Sequence, residues 1–389
     1  MTILWIYNMP LVPEAGGTER ITSLVAKGLT GRGHKCMGIL VFDQSDGSMS
    51  YEGNPVKDLY GFLKEHNVDI VINQIAYARW LLDAFLSSGG ERWHAEGGRI
   101  ISCLHFDPRP ASNLYYFMSV RSKTARVCFN IVKSALLYPY YRRQQDKECG
   151  KVFNWVYDHS DRYVTLSPTH FPYFKRVTAR SSYERLEAIN NPLTFDDIAS
   201  EDIVDEKKKV VLICSRMDEY QKRISLALRA WKRVQDQPEA KEWTLKILGT
   251  GPDLDKYKDF VSKSRISGVV FEGRQSPEPY YREASVFLMT STGIEGWGLT
   301  LTESLQRGVV PVVMNTCAVY SEIIENGVNG YLTPGSDIES FAAHLLSLMC
   351  SPQHLRLMQL NALRSASRFT LEKTMTKWDK IIDKIQQHA

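Results

Sequence analysis

The chain has 389 residues, of which 43% are hydrophobic and 24% charged, and its formal net charge is +4. This balance excludes disordered and fibrous classes, and the length favours two domains at about 100 to 200 residues each. The 7 cysteines form no CxxC pair, which predicts reduced thiols rather than a disulfide framework. No apolar run approaches the ~20 residues of a membrane helix and no leader-like segment precedes the first strand, so we expect a cytoplasmic protein.

Short apolar runs of strand length alternate along the chain with longer segments of helical period. The first half contains ILWIYN, a helix from Thr18 to about Thr30, and then CMGILVF, VDIVINQ, RIISCLHF and RYVTLS. After the charged run EDIVDEKKK, the pattern resumes with VVLICS, WTLKILG, VVFEG, SVFLMTS and VVPVVMN. This alternation is typical of parallel sheets with helical crossovers. It predicts an α/β fold of two doubly wound domains across a cleft, with ligands at the carboxyl ends of the strands.

A basic, aromatic segment spans residues 109–151 in the first half. It holds nine lysines and arginines against Asp146 and Glu148, and it includes the run VCFNIVKSALLYPYYRR. Basic residues beside Leu, Phe and Tyr suit an interfacial helix on anionic lipid. A helix packed on its domain with a solvated basic edge is the open alternative. We expect no nucleic acid partner.

In the second half, the loop after SVFLMTS carries Glu295, Gly296 and Gly298, and a helix is expected to begin near Leu299. Glycines let a ligand approach the backbone closely, and the N–H groups of a helix start bind anions such as phosphate. Glu303, eight positions beyond Glu295, falls in the second turn of that helix. Two carboxylates near a phosphate site could accept hydrogen bonds from sugar hydroxyls. A solvated helix face is the alternative.

The run RMDEYQKR follows the strand VVLICS and contains two candidate anion-binding residues. Arg216 and Lys222 are six positions apart across a strand-to-helix loop, so both could bind one diphosphate. They could instead pair with Asp218 and Glu219. Because no DxD-like acidic pair follows a strand end, we expect neither a metal ion nor another cofactor, and the cations would stabilise a leaving diphosphate.

The run IEGWGLTLTES followed by GVVPVV resembles the glutamate-rich signature of the retaining glycosyltransferase family 4, also described as group 1. Trp297 stands where the family usually has Phe, and Gln306 and Arg307 replace small residues. Further similarity lies in GGTER, CLHFD, INNP, SRMDEYQK, ILGTGP and EIIENGVNGYL, and therefore covers nearly the whole chain. The resemblance implies a GT-B fold, with two Rossmann-like domains facing each other across a cleft.

The resemblance also implies domain roles. Residues 1–195 would bind the acceptor, residues 196–370 the nucleotide-sugar, and residues 371–389 would form a helix that crosses back to the N-terminal domain. In the N-terminal domain, Gly16 and Gly17 would border the donor phosphate, and His105 would lie near the reacting carbon. A buried core histidine is the alternative for His105.

For the donor site, the resemblance assigns the diphosphate to Arg216 and Lys222, the ribose hydroxyls to Glu303 and the sugar to Glu295. The nucleotide-binding set is completed by Gly296, Trp297, Gly298, Leu299 and, beside the base, Arg274. Arg216, Lys222, Glu295 and His105 are thus the expected catalytic residues, and the others bind the donor.

The implied activity is transfer of a sugar from a nucleotide-sugar to a glycan or lipid-linked acceptor, with retention of the anomeric configuration. We expect the donor to be a UDP-sugar. Surface polysaccharide or glycolipid biosynthesis would be its setting, on the cytoplasmic face of the membrane. A sugar phosphorylase on the same fold and a non-catalytic partner of a membrane glycan synthase are alternatives. A dinucleotide-dependent oxidoreductase is disfavoured because no GxGxxG follows the first strand.

Overall fold

The computed structural model describes residues 1–12, 16–41, 48–109, 125–293 and 295–387. The chain divides into two compact units, Met1–Pro192 with Leu371–Ala389, and Leu193–Thr370. The N-terminal part of the first unit therefore ends at Pro192, whereas the sequence placed this boundary at residue 195.

The first unit is a mixed sheet with helices on it. Its strands are β1 (Thr2–Tyr7), β2 (Lys35–Val41), β3 (Met49–Tyr51), β4 (Asn54–Pro55), β5 (Val68–Asn73), β6 (Arg99–Leu104), β7 (Arg162–Thr165) and β8 (Leu186–Ala188). Its helices are α1 (Gly17–Gly31), α2 (Leu59–Glu65), α3 (Trp80–Phe85), α4 (Glu91–Ala95), α5 (Ala125–Asp158) and α6 (Phe171–Thr178), with a π-helical turn at Leu86–Gly90 and a 3₁₀ turn at Pro168–His170. In the described residues the strand order is β4-β3-β2-β1-β5-β6-β7-β8.

The strands of this sheet are parallel except at one edge. β3 pairs antiparallel with β2 and with β4, which adds a short hairpin that apolar runs did not predict, because β4 has two exposed residues. The central strands β1, β5 and β6 are almost wholly buried, as expected of strands covered on both faces.

The second unit is an all-parallel sheet in the described residues. Its strands are β9 (Val210–Cys214), β10 (Thr244–Leu248), β11 (Val269–Gly273), β12 (Val286–Met289), β13 (Val310–Asn315) and β14 (Tyr331–Pro334). Its helices are α7 (Glu219–Lys222), α8 (Ile224–Val234), α9 (Leu254–Lys263), α10 (Glu278–Glu283), α11 (Leu299–Gln306), α12 (Tyr320–Ile323), α13 (Ile338–Cys350) and α14 (Pro352–Ala366), with 3₁₀ turns at Glu201–Glu206, Pro238–Ala240 and Ser367–Phe369. The order β11-β10-β9-β12-β13-β14 is that of a dinucleotide-binding Rossmann sheet.

The last helix, α15 (Leu371–Gln386), packs on α1 within the first unit. Its buried residues, including Met375, Trp378, Ile382 and Ile385, recur at helical spacing, so α15 has one apolar face that packs against the first unit. Arg32 at the end of α1 pairs with Glu372 at 2.7 Å and Asp379 at 2.9 Å. Among the described residues, none of the helices is both long and apolar enough to cross a membrane.

Candidate functional site

The strand order of the second unit reverses between β9 and β12, which are hydrogen-bonded neighbours. In open α/β sheets, ligands bind beside the carboxyl ends of strands at such a switch point. The loop after β9 carries Arg216 and the loop after β12 carries Glu295. Most residues that the sequence assigned to the donor thus lie around the position at which this fold binds ligands.

Arg216 lies on the β9–α7 loop with 58% of its side chain exposed. Its Nη2 donates to Asp218 Oδ2 at 3.1 Å and to Gln221 Oε1 at 2.5 Å. Asp218 also caps α7 by accepting from the backbone N–H groups of Tyr220 and Gln221. The pairing of Arg216 with Asp218, which the sequence left open as an alternative, is therefore observed.

Lys222 ends α7 and forms an ion pair with Glu295, 73 positions away in sequence. Glu295 lies in the loop after β12 that carries Gly296 and Gly298, here called the glycine loop. The two side chains are 20% and 19% exposed, so the pair is partly shielded from solvent. The alternative pairing of Lys222 with Glu219 is wrong, because Glu219 instead accepts from Ser225 Oγ at 2.5 Å and Tyr257 Oη at 2.9 Å. The structure thus joins two of the predicted residues.

Arg223 is a residue of this region that the sequence did not single out. It is 3% exposed, and its backbone φ of 47° is left-handed. Its guanidinium donates to the backbone carbonyls of Thr290 and Ser291, both at 2.8 Å, and to Ser336 Oγ at 3.0 Å. Arg223 therefore ties the Lys222 loop to the end of β12. Because Arg223 lies in a short, charged run, the sequence has no periodic pattern that predicts its burial.

The glycine loop leads into α11. Gly298 is the N-cap residue with φ 85°, a left-handed conformation that favours glycine, and Leu299 is the first helical residue. Gly296 is buried, and the indole of Trp297 is 2% exposed and packs edge-on against Phe369 at 5.3 Å. A ligand would therefore contact the backbone of this loop and the N–H groups of the α11 first turn rather than the tryptophan ring.

Glu303 is 1% exposed, so the alternative of a solvated helix face is wrong for this residue. Its Oε1 accepts a hydrogen bond from Thr194 Oγ1 at 2.7 Å. The pKa of the buried Tyr281 phenol is raised well above its usual value, chiefly by burial and further by charges that include Glu303. Glu303 is thus a buried acceptor that receives a hydrogen bond from Thr194.

The loop after β10 packs directly on the β9 loop. Gly249 has φ 127°, and a Cβ there would lie 1.9 Å from the carbonyl oxygen of Ser215, so a larger residue cannot fit. Met217 N donates to Thr250 O at 2.9 Å, which joins the loops further. Arg274 follows β11 and its side chain is exposed.

The remaining predicted residues lie in the first unit. Gly16 is the N-cap of α1, with extended backbone, and Gly17 is the first helical residue. His105 follows β6 directly, and its Nε2 hydrogen-bonds Gln74. Burial lowers the pKa of His105 to about 4, so the imidazole is neutral at pH 7. His105 lines a pocket of about 20 Å³ with Trp5 and Gln74, enough space for a water molecule.

Sequence comparisons extend this description. The family model described as Glycosyl transferases group 1 matches residues 195–364. The chain is 24% identical to a lipopolysaccharide 1,6-galactosyltransferase of Salmonella typhimurium over 258 residues, 61% of this chain and 69% of that protein. It is 28% identical to a poly(glycerol-phosphate) alpha-glucosyltransferase of Bacillus subtilis over 193 residues, 49% of this chain and 27% of that protein. The chain thus spans well under half the length of some curated relatives that it matches.

Solved structures resemble the whole chain. The structure of Anabaena HepE in complex with UDP-glucose has 15% identity and a TM-score of 0.67, and the match covers 100% of both chains. The apo form of the lipopolysaccharide outer core galactosyltransferase WaaB has 19% identity and a TM-score of 0.65, with 99% of both chains covered. These matches show the GT-B fold. The segment that matches the glycosyl transferases group 1 model, residues 195–364, lies within the second unit.

Proposed function

We propose that the chain is a retaining glycosyltransferase that moves a sugar from a UDP-sugar to a glycan or lipid-linked acceptor, in surface polysaccharide or glycolipid biosynthesis. The observation that carries the proposal is the arrangement at the switch point of the second unit. Lys222 follows β9, Glu295 and the start of α11 follow the neighbouring strand β12, and Lys222 and Glu295 form an ion pair. A relative that transfers galactose and a structural neighbour with bound UDP-glucose support the choice of donor.

The donor diphosphate would bind where cations and a helix start can contact it. Arg216 and Lys222 supply the charge, and the first turn of α11 supplies backbone N–H groups. Lys222 is paired with Glu295 in the structure, so a diphosphate would share or replace that partner. Because these groups stabilise a leaving nucleoside diphosphate electrostatically, the proposed reaction needs no metal ion.

Retention fits attack on the face from which the diphosphate leaves. In that mechanism, a phosphate oxygen accepts the proton of the acceptor hydroxyl as the new glycosidic bond forms. Glu295 is ion-paired to Lys222, which suits contacts to the sugar or cation better than covalent attack. Glu303 is buried beside Thr194 and suits hydrogen bonds from ribose hydroxyls. His105, neutral at pH 7, would contact the substrate as a hydrogen-bonding group.

The acceptor is proposed to be membrane-linked because of one face of α5. Lys133, Leu136, Tyr140, Arg143 and Lys147 recur at spacings of three and four and are all exposed, Leu136 to 76%. Alternation of cationic and apolar groups on one helical face complements an anionic lipid surface. Residues 110–124 of the predicted basic segment, with Arg121 and Lys123, lie outside the described residues.

Binding of UDP, GDP and ADP, followed by thermal unfolding, tests the donor. A ligand at 100 times its Kd stabilises the native state by about 2.7 kcal/mol. We expect UDP to give the largest shift, and Lys222→Met to reduce it, whereas Lys232→Met, an exposed lysine of α8, leaves it unchanged. No shift with any nucleoside diphosphate would refute the proposal.

Product analysis tests the reaction itself. Incubation with UDP-glucose, UDP-galactose or UDP-N-acetylglucosamine and a candidate acceptor should release UDP and give an α-linked product by NMR. A β-linked product would refute retention. Sugar phosphate formed from product and orthophosphate would identify a phosphorylase instead.

A further inference from the structure

One face of α11 binds the segment Thr194–Asp197, which lies at the beginning of the second unit. Gln306 and the C-cap residue Arg307 lie three and four positions after Glu303, so the three residues share that face at the end of the helix. Each of the three makes a hydrogen bond to the segment. Two of them, Gln306 and Arg307, are not among the residues that the proposed donor site uses.

Gln306 holds the backbone of the segment. It is 0% exposed, and its amide donates to the carbonyls of Phe195 and Asp197, both at 3.0 Å. Its Oε1 accepts from Phe195 N at 3.3 Å. A buried amide that satisfies both carbonyls and an N–H of a neighbouring segment fixes the register of that segment on the helix.

Arg307 adds a buried charge to this contact. It is 1% exposed, and Nη1 donates to Asp197 O at 2.7 Å, while Nη2 donates to Asp197 Oδ1 at 2.9 Å and Glu278 Oε1 at 2.7 Å. Its guanidinium lies 4.7 Å from the centre of the Phe195 ring. A buried guanidinium is tolerated only when it is well paired, so this network holds the segment firmly. We refer to Gln306 and Arg307 as the α11 clamp.

The clamp sets the position of Thr194, whose hydroxyl donates to Glu303 Oε1 at 2.7 Å. A carboxylate has two oxygens with about four acceptor sites, so the carboxyl group of Glu303 can accept from several donors, and the bond from Thr194 does not by itself prevent a bond from a ligand. That bond also fixes the orientation of the carboxyl group. A glutamate without such a partner would lose this rotational freedom only on binding the ligand, at a cost in affinity.

We propose that Thr194, held by the α11 clamp, is a positioning residue that orients Glu303 toward the ribose hydroxyls of the donor nucleotide. The inference rests on the proposed function and adds a residue that, through Glu303, sets the selectivity of the nucleotide site for ribose. It makes the start of the second unit part of the donor site.

Thr194→Val removes the hydroxyl and keeps the volume and the branched shape. We expect it to weaken UDP binding about fivefold, the factor that corresponds to about 1 kcal/mol for a typical hydrogen bond. Binding of 2′,3′-dideoxy-UDP should be unchanged, because that ligand lacks the groups that Glu303 contacts. Thr194→Ser should retain the wild-type preference for UDP over the dideoxy nucleotide. Calorimetry with both nucleotides measures all of these.

Two controls separate positioning from a general loss of stability. Thr333→Val makes the same change at a fully buried threonine of the second unit, whose hydroxyl has no hydrogen-bond partner in the described residues. It should leave the preference for UDP over the dideoxy nucleotide unchanged. In a Glu303→Gln background, Thr194→Val should have a much smaller effect than in the wild type, since interacting positions are not additive.

Arg307→Met tests the clamp and should reproduce the loss of ribose preference. If that variant does not fold, Thr194→Val alone decides. Equal losses for both nucleotides, or wild-type UDP binding by Thr194→Val, would overturn the inference while leaving the proposed function intact. If wild-type protein binds no nucleoside diphosphate, the proposed function itself fails.

Discussion

Replacement of each glutamate of the signature by alanine separates their proposed roles. Glu303 is 1% exposed and accepts from Thr194, whereas Glu295 is ion-paired with Lys222. If Glu303 binds the ribose, Glu303→Ala should weaken UDP binding by about 1.5 to 3 kcal/mol, the range for a hydrogen bond to a charged group. Glu295→Ala should not weaken UDP binding, because Glu295 is expected to contact the sugar.

The ion pair fixes the sign of the Glu295 effect. Because the Lys222 and Glu295 side chains are 20% and 19% exposed, their attraction is partly screened and is worth about 1 kcal/mol at most. Glu295→Ala releases Lys222 from this partner, so a diphosphate no longer competes with a carboxylate. We therefore expect unchanged or up to about fivefold tighter UDP binding, together with slower turnover of the UDP-sugar, since sugar contacts orient the anomeric carbon.

Calorimetry with UDP and steady-state kinetics with the intact donor give the two readouts. Glu242→Ala is the matched control, because Glu242 pairs with Lys209 before β9, at the opposite end of the sheet, and its loss changes the net charge equally. It should alter neither quantity. If Glu295→Ala weakens UDP binding as much as Glu303→Ala does, the assignment of both residues is wrong.

Three further predictions concern the metal, the membrane and the acid response. Turnover should survive EDTA, and a loss of activity that Mg²⁺ or Mn²⁺ restores would refute the metal-free mechanism. Reversal of Lys133, Arg143 and Lys147 to Glu should abolish salt-sensitive binding to anionic liposomes, whereas reversal of the three lysines of α9 should not. If this α5 variant and the wild type sediment equally with liposomes, the proposal is contradicted. Burial lowers the pKa of His170 to about 4, whereas the pKa of a histidine in the unfolded chain is about 6.5. The native state therefore loses stability as the pH falls below about 6.5, by about 2 kcal/mol at pH 5. His170→Gln should flatten the dependence of Tm on pH between 7 and 5, and an unchanged slope would disprove this contribution.

The sequence predicted the layers and the place of the site. Buried strands alternating with helices specify parallel sheets, and such sheets place ligands at strand ends, so the runs after VVLICS and SVFLMTS were identified from pattern alone. The helix start near Leu299 was also predicted, because a glycine N-cap is a local feature. The antiparallel β3–β4 edge was missed, since two exposed residues carry no periodic signal.

Tertiary structure alone decided which side chains meet. Lys222 pairs with Glu295 across 73 positions, and Thr194 with Glu303 across 109. Local sequence favoured nearer partners for Lys222, and it could not show that Arg223 is buried, because burial of a charge depends on carbonyls supplied by another strand end. Propensity and period act over a few residues, whereas hydrogen-bond partners are set by the packing of whole strands. For that reason the sequence located the candidate donor site, and the fold determined its internal contacts.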